Sequence, residues 1–303
     1  MTRSTFFFDP PFTTSGVTAS LAKTAKPVYG VLGFVIFITL TLVTIGVGLV
    51  AQPLVVSLLG AESPWVTSLT VFVTFLPLWV FFLIFTIRNR RHGSGLTSRG
   101  VGRFLLGVVV GIALVWMIML TLVLFFGGRF TFNAQAFAAP AFWPVAVVSL
   151  LVFYVQGSGE EFMFRSMMAR FLARRFSAVT IVIVTAAAFS AVHFSNGMKQ
   201  PLVFLYTFVI GLLLGLLAVT SNSLWLVLGL HGVYNWATGY LTSIFLQAPA
   251  DPAIAPLATS VAGGVAIVVV VIVLQVTKPG WHREKAAVAP ERTPARADEP
   301  VVA

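Results

Sequence analysis

The stretch VYGVLGFVIFITLTLVTIGVGLVA, residues 28–51, decides the fold class of this chain. It contains no charged residue, and it exceeds the roughly 20 residues that a helix needs to cross a hydrocarbon layer of about 30 Å. A stretch that is apolar on every side of a helix is buried in a large core or lies in a membrane. Residues 28–51 are therefore predicted to form the first of several transmembrane helices.

The composition of the whole chain agrees with this prediction. Of its 303 residues, 58% are hydrophobic and 9% are charged, and the mean hydropathy is +0.98. Soluble domains carry about a quarter charged residues, so a soluble globular protein is excluded. The chain has no cysteine, which excludes disulfides, thiolate metal sites and cysteine nucleophiles.

Span length predicts an all-α, polytopic membrane protein with about eight transmembrane helices. The segment 52–64 is apolar but short, and we expect an interfacial piece there rather than a ninth span. The eight predicted spans are residues 28–51, 66–87, 104–126, 141–157, 178–196, 201–219, 223–245 and 254–276.

The basic residues predict the orientation. All Lys and Arg residues except Arg129 and Lys199 fall before the first span, in 88–103, in 165–175 or after 277. Because Lys and Arg gather in cytoplasmic loops, both termini are predicted to be cytoplasmic, as an even number of spans requires. We therefore interpret the net charge of +10 as basic residues that set the orientation in the membrane and not as a nucleic-acid binding surface.

This interpretation divides the chain into five regions. We expect a cytoplasmic N-terminal segment without a removable signal peptide, three N-terminal spans, a core of four spans, an eighth span and a disordered cytoplasmic tail. They cover residues 1–26, 27–140, 141–245, 246–276 and 277–303.

One acidic cluster lies in the stretch GSGEEFMFR, residues 157–165. Glu161 and Arg165 are four residues apart, so on a helix they can pair and leave Glu160, about 100° around the helix, free to act. The alternative is a solvated helix start, because Glu is favoured in a first turn after Gly-Ser-Gly. Charge at membrane depth is costly and usually functional, which favours the first interpretation.

Two histidine clusters follow on later spans. His193 shares a helix face with Phe189, and His231 shares one with Asn235, with Gly232 allowing a close helix approach. A turn near residues 176–177 would bring Glu160 and His193 to the same level, although it leaves Arg165 at membrane depth. A single intramembrane His is as often a packing residue as a catalytic one, but clusters on three spans favour one shared site.

The motifs Glu-Glu-x-x-x-Arg, Phe-x-x-x-His and His-x-x-x-Asn, in this order, resemble the CPBP (CAAX protease and bacteriocin-processing, or Abi) family of intramembrane proteases, which includes type II CAAX prenyl endopeptidases. The resemblance covers roughly residues 141–245, the predicted core. It implies an intramembrane active site among the fourth, fifth and seventh spans and a membrane-associated protein or peptide as substrate, CAAX-like in some members.

The resemblance also implies roles for the matching residues. Glu160 would be the general base on a water that His193 holds or polarises, while His231 and Asn235 bind the oxyanion and Glu161 and Arg165 give support. A zinc site is the alternative, with Glu160, His193 and His231 as three ligands and water as the fourth. The family has been described both as metalloproteases and as glutamate-type proteases, so the cofactor stays open between zinc and none.

Two other classes of function remain open at this point. A proton-coupled secondary transporter would use the Glu and His residues as a proton relay, but it would be expected to show two related halves, which the sequence does not. A non-catalytic immunity or regulatory membrane protein would bind a partner through the same cavity.

Overall fold

The protein is described from a computed structural model, which covers residues 27–88, 98–172, 176–193, 201–221, 223–251 and 253–277. In these ranges the chain is a bundle of helices with one two-stranded pairing. The elements are α1 (Pro27–Leu59), α2 (Val66–Arg88), α3 (Ser98–Phe125), β1 (Arg129–Phe130), α4 (Ala134–Ala138), α5 (Phe142–Glu161), a π-helix (Phe162–Met168), α6 (Ala169–Leu172), α7 (Ala178–His193), α8 (Pro201–Ser221), α9 (Leu224–Phe245), β2 (Leu246–Gln247) and α10 (Ile254–Thr277).

The predicted all-α polytopic membrane fold is confirmed. Five helices are long and apolar enough to cross a membrane, and two shorter apolar helices accompany them. The five are Val35–Leu59, Gly100–Phe125, Phe142–Met168, Pro201–Val219 and Ile254–Thr277, and the two are Val66–Phe82 and Ala178–His193. The total of eight spans stays a prediction, as do the N-terminal segment 1–26, residues 194–196 of the fifth span and the tail from residue 278, which lie outside the described residues.

Helix α9 explains why hydropathy alone does not settle the number. It carries His231 and Asn235 and is not among the helices that meet the hydropathy criterion. Yet it is the centre of the bundle, packed against α3, α5 and α8, and its residues from Leu226 to Tyr234 are all buried. Its surroundings are therefore other helices more than lipid, so it can carry polar side chains.

Two predicted boundaries were wrong. The segment 52–64 is not a separate interfacial piece, because α1 continues through Pro53 to Leu59. The fourth span does not end at residue 157: α5 runs to Glu161 and passes directly into the π-helix. Residues 157–161 therefore lie inside a long helical segment, which rules out the solvated helix start.

Glycines bring α3 and α9 into backbone contact. A Cβ atom at Gly107 would lie 2.0 Å from the carbonyl oxygen of Leu226, and one at Gly229 would lie 2.1 Å from that of Phe104. Small residues allow such close approach between membrane helices. Because β1 follows α3, β2 follows α9 and the two strands pair, both helices run toward the same end of the bundle, here called the strand-pair end.

The outer surface is apolar. Large hydrophobic side chains such as Leu49, Val109, Leu151 and Val276 are more than 60% exposed. Polar side chains inside, such as Ser190 and Thr207, hydrogen bond to each other or to helix carbonyls. An apolar exterior around interior polar groups that hydrogen bond in this way is the arrangement that a hydrocarbon solvent requires.

Candidate active site

The acidic cluster lies at the junction of α5 and the π-helix. Glu161 is fully buried, and its Oε1 accepts a hydrogen bond of 3.0 Å from Nη1 of Arg165, the pair expected from their spacing. The second guanidinium nitrogen, Nη2, donates to the carbonyl of Gly211 on α8 at 2.9 Å. Arg165 also lies over the ring of Phe189, 4.7 Å from its centroid. The buried cation is thus compensated from three directions.

His231 of α9 joins the two glutamates. Its Nδ1 lies 2.8 Å from Oε1 of Glu161, and its Nε2 lies 3.4 Å from Oε2 of Glu160. Glu161 already accepts from a guanidinium, so Nδ1 of His231 carries the proton that it donates. Glu160, His231, Glu161 and Arg165 therefore form one continuous buried chain of charged and polar groups, here called the Glu-His-Glu-Arg chain.

The glycines around the cluster make this contact possible. A Cβ at Gly157 would lie 3.1 Å from the backbone nitrogen of Gly232, and one at Gly232 would lie 2.1 Å from the ring of Tyr154. Helices α5 and α9 consequently approach closely where His231 meets the glutamates. Gly159 allows a close contact with a different helix, because a Cβ there would lie 2.9 Å from the side chain of Leu78 on α2.

His193 is the last residue of α7. Its Nδ1 lies 2.8 Å from the carbonyl oxygen of Phe189, one turn earlier. A carbonyl only accepts, so Nδ1 carries the proton, and in the neutral ring Nε2 is left as an acceptor. The ring of Phe189 contacts both histidines, with centroids 4.5 Å from His193 and 5.8 Å from His231. Both histidines thus contact one aromatic ring.

A cavity of about 380 Å³ lies between five helices next to these residues. Its wall is about half polar and includes His193, His231 and Asn235. The other lining residues are Phe153, Gln156, Phe189, Tyr206, Thr207, Ile210, Tyr234, Thr238, Ala255, Pro256 and Thr259. A concave space with converging polar groups is the usual form of a ligand or active site.

Glu160 lies beside this cavity and not among its lining residues. Its carboxylate accepts a hydrogen bond of 3.2 Å from Nε2 of Gln156 and approaches His231, and both of these partners line the cavity. The side chain keeps 12% of its surface exposed, and Oε2 has no hydrogen-bond partner within the described residues. Oε2 is itself buried, so Glu160 reaches the cavity through the exposed part of its side chain and through its contacts with Gln156 and His231.

The structure thus gathers the candidate residues in two layers. Glu160, Glu161, Arg165 and His231 form the buried chain, and His193 and Asn235 join His231 at the cavity wall. The suggested oxyanion role of His231 does not fit this placement, because both ring nitrogens face carboxylates.

The zinc alternative was tested on the same geometry. Within the described residues no group of three or more His, Asp or Glu side chains is placed to hold a metal ion. Glu160 and His231 approach each other, but His193 is not part of a common set with them. The arrangement therefore does not fit the proposed three-ligand site, and the steps below do not pass through a metal.

Sequence reasoning missed several lining residues. Gln156 could have been found, because it lies four residues before Glu160 on the same helix face. Tyr206, Tyr234, Thr207 and Thr259 carry no local signal, since their positions depend on how α8, α9 and α10 pack.

Residues 141–237 match the family model described as type II CAAX prenyl endopeptidase Rce1-like. No curated protein matches the chain. The chain therefore carries an Rce1-like domain, and the family resemblance that the three motifs indicate is confirmed. The domain includes Glu160, His193, His231 and Asn235, so the site described above lies within it. In general terms, the family is one of membrane-embedded endopeptidases.

Proposed function

We propose that the protein is an intramembrane endopeptidase that hydrolyses a peptide bond in a membrane-associated protein or peptide, with Glu160 as the base that activates water. The observation that carries the proposal is the Glu-His-Glu-Arg chain next to a cavity with a partly polar wall, among helices apolar enough to span a membrane. Burying four ionisable groups is costly, and they would not be expected in a segment that only packs.

The charges and contacts of the Glu-His-Glu-Arg chain suggest how the Glu160 carboxylate is held as a base. Arg165 neutralises Glu161, so the pair has no net charge. At the other end of the Glu-His-Glu-Arg chain, Nε2 of His231 lies 3.4 Å from Oε2 of Glu160. His231, held by Glu161 through Nδ1, is then a positioning residue that orients the Glu160 carboxylate.

The reaction also needs a held water and a donor to the oxyanion, and two cavity residues, His193 and Asn235, are placed for these roles. The Glu160 carboxylate takes a proton from a water whose other hydrogen is accepted by Nε2 of His193, and the resulting hydroxide attacks the peptide carbonyl. The side-chain amide of Asn235 donates to the oxyanion of the tetrahedral intermediate. When the C–N bond breaks, the protonated Glu160 returns its proton to the leaving amine, which restores the starting state.

The test is hydrolysis by the purified protein. The full chain in lipid nanodiscs is incubated with a library of peptides anchored by one lipid or one transmembrane segment, including CAAX-like prenylated peptides, in water enriched in ¹⁸O. We expect new N-termini together with ¹⁸O in the new C-terminal carboxylate, both detected by mass spectrometry. Cleavage without ¹⁸O incorporation, or no cleavage of any anchored peptide, would contradict the proposal.

The same preparation separates the two alternative classes. A proton-coupled transporter would move protons in sealed liposomes when its substrate is added, and Glu160→Gln would abolish that flux without any peptide being cut. A binding protein would retain its partner after alanine replaces both Glu160 and His193. An endopeptidase shows neither behaviour and loses cleavage in both variants.

A further inference from the structure

Helix α10 forms part of the cavity wall although it lies outside the Rce1-like domain. The matched domain ends at residue 237, whereas α10 runs from Ile254 to Thr277. It lines the cavity with Ala255, Pro256 and Thr259. The candidate catalytic residues all belong to α5, the π-helix, α7 and α9. The three lining residues of α10 therefore contribute shape to the site and no ionisable group.

The sequence fixes where α10 begins. The side-chain carboxylate of Asp251 accepts a hydrogen bond of 2.9 Å from the backbone nitrogen of Ala253, and its carbonyl accepts one of 3.2 Å from that of Ile254. Pro256 is the third helical residue, where a missing N–H breaks no intrahelical hydrogen bond. Because α10 follows β2, it begins at the strand-pair end. The lining residues thus belong to a helix start whose backbone is defined by local hydrogen bonds.

The side of α10 that faces the bundle consists of small residues. Ala258 and Ala262 are buried in the hydrophobic core, and a Cβ at Gly263 would lie 2.7 Å from Cγ1 of Val209 on α8. Small residues thus let α10 pack closely against α8.

In the first two turns of α10, the same side borders the cavity. Ala255 and Thr259 lie one turn apart on one helix face, and both line the cavity. Ala255 is exposed, whereas Thr259 is buried and donates its hydroxyl hydrogen to the carbonyl of Ala255 at 2.9 Å. The cavity therefore owes part of its volume to two small side chains, one exposed and one buried.

The packing of the helices shows which part of the cavity α10 bounds. Helix α10 packs mainly against α8 and α3, whereas α5, which carries Glu160, packs mainly against α9 and α2. Both α5 and α10 line the cavity, which therefore separates them. Helix α8 completes the wall beside α10 with Tyr206 and Ile210, one turn apart. A Cβ at Gly263 would lie 3.5 Å from Cδ1 of Ile210, so Ile210 is directly next to α10.

From these observations we infer that α10 is a size-selecting wall of the active site. Ala255 and Thr259 limit the size of the substrate side chain that can lie next to the scissile bond. This inference rests on the proposed endopeptidase function. A peptide bond that reaches His193 and Asn235 brings the side chains on either side of it into the same cavity. The space beside α10 is the part of the cavity that remains for one of them.

The lining of this space also indicates the class of side chain. Ala255, Thr259, Tyr206 and Ile210 carry no charge at neutral pH. A charged group placed among them would lose its hydration without gaining an opposite charge, which is costly. The side chain that fits is therefore uncharged and of limited size.

Enlarging Ala255 tests the size limit. Ala255→Phe is compared with Val265→Phe, a matched control because Val265 is on the same helix and 52% exposed. Both variants and the parent, as full chains in nanodiscs, receive anchored peptides that carry Ala, Leu or Phe on either side of the scissile bond.

We expect the ratio of kcat/KM for Leu or Phe peptides to that for Ala peptides to fall at least about tenfold in Ala255→Phe, the low end of what one methylene group in a pocket discriminates. The change should concern one side of the scissile bond, and Val265→Phe should keep the parent ratios. Parent ratios in Ala255→Phe would overturn the inference.

Disulfide trapping separates failure of this inference from failure of the proposed function, because the chain has no cysteine of its own. Ala255→Cys is combined with Glu160→Gln, so that the peptide is bound without being cut. A peptide that the parent hydrolyses is supplied with a single cysteine at successive positions, under a mild oxidant. The control combines Val265→Cys with Glu160→Gln.

We expect one peptide position next to the scissile bond to crosslink to Ala255→Cys faster than all others, and no preferred position for Val265→Cys. Hydrolysis by the parent without such a selective crosslink would overturn the inference and leave the endopeptidase function intact. Absence of hydrolysis by the parent would instead refute the endopeptidase function, and the size-selecting wall with it.

Discussion

Replacing Arg165 by Met tests the Glu-His-Glu-Arg chain directly. The substitution keeps most of the side-chain volume but removes the cation from the fully buried Glu161, together with the hydrogen bond to the Gly211 carbonyl and the contact with the Phe189 ring. Each hydrogen bond to a charged group is worth about 1.5–3 kcal/mol. Removing one partner of a buried ion pair costs about 3–5 kcal/mol, because the other charge stays buried without compensation.

The assay is thermal unfolding of the purified protein, followed by tryptophan fluorescence. A loss of about 3–5 kcal/mol corresponds to a fall of the apparent Tm on the order of 10 °C for a chain of this size. Arg103→Met is the matched control, since Arg103 is exposed on α3, and it should leave Tm nearly unchanged.

A double substitution tests whether the charges of Glu161 and Arg165 are coupled. Glu161→Gln removes the buried negative charge but keeps an oxygen that can accept from His231, so Arg165→Met combined with Glu161→Gln should be more stable than Arg165→Met alone. If Arg165→Met costs less than about 1 kcal/mol, or if the two effects simply add, the charges are not coupled as described.

Three further predictions concern the site and its packing. Gln156→Leu should leave the fold unchanged but lower kcat at least tenfold, because it removes the hydrogen bond that holds the Glu160 carboxylate, and Gln156→Asn should recover part of kcat. Equal kcat in Gln156→Leu and the parent would contradict a positioning role for Gln156. Gly232→Ala should lower the free energy of unfolding by about 1–3 kcal/mol, because its Cβ would overlap the ring of Tyr154. Gly239→Ala, with no atom within 4 Å of its Cβ, should change it little, and equal unfolding temperatures of the two variants would refute the close contact at Gly232. Hydrolysis should persist after dialysis against a strong chelator, with no stoichiometric zinc in elemental analysis; loss of activity that zinc restores would show that a metal takes part.

The membrane fold could be predicted from composition and span length because burial in lipid needs only a long apolar segment. The predicted helix ends were wrong where Pro or Gly residues lie within an apolar helix. Pro53 did not end α1, and Gly157-Ser158-Gly159 did not begin a new helix. In both cases neighbouring helices stabilise the backbone where local preference alone would interrupt it.

The sequence predicted which residues form the candidate site but not most of the contacts between them. The four-residue spacing was sufficient for the Glu161–Arg165 pair, since both residues lie on one helix. The contact of His231 with both glutamates spans 70 residues and depends on the glycines that bring α5 and α9 together, which no local pattern specifies. Because both ring nitrogens of His231 face carboxylates, we propose a positioning role for it in place of the oxyanion role that the resemblance implies.

The π-helix was also beyond sequence reasoning. It begins directly after Glu161 and includes Arg165, so a standard four-residue spacing still pairs the two although the backbone has widened. Single π-helical turns are rare and occur often at functional sites.

The most direct test of the proposed function is the rate of peptide hydrolysis by purified Glu160→Gln, with Glu62→Gln as its control. Glu62 is an exposed carboxylate in the α1–α2 connection, outside the site. We expect Glu160→Gln to unfold at the parent temperature or above it and to lose at least about 10²-fold in kcat, the low end for removal of a general base. Glu62→Gln should keep the parent rate. A folded Glu160→Gln variant that hydrolyses the peptide at the parent rate would show that Glu160 is not the base.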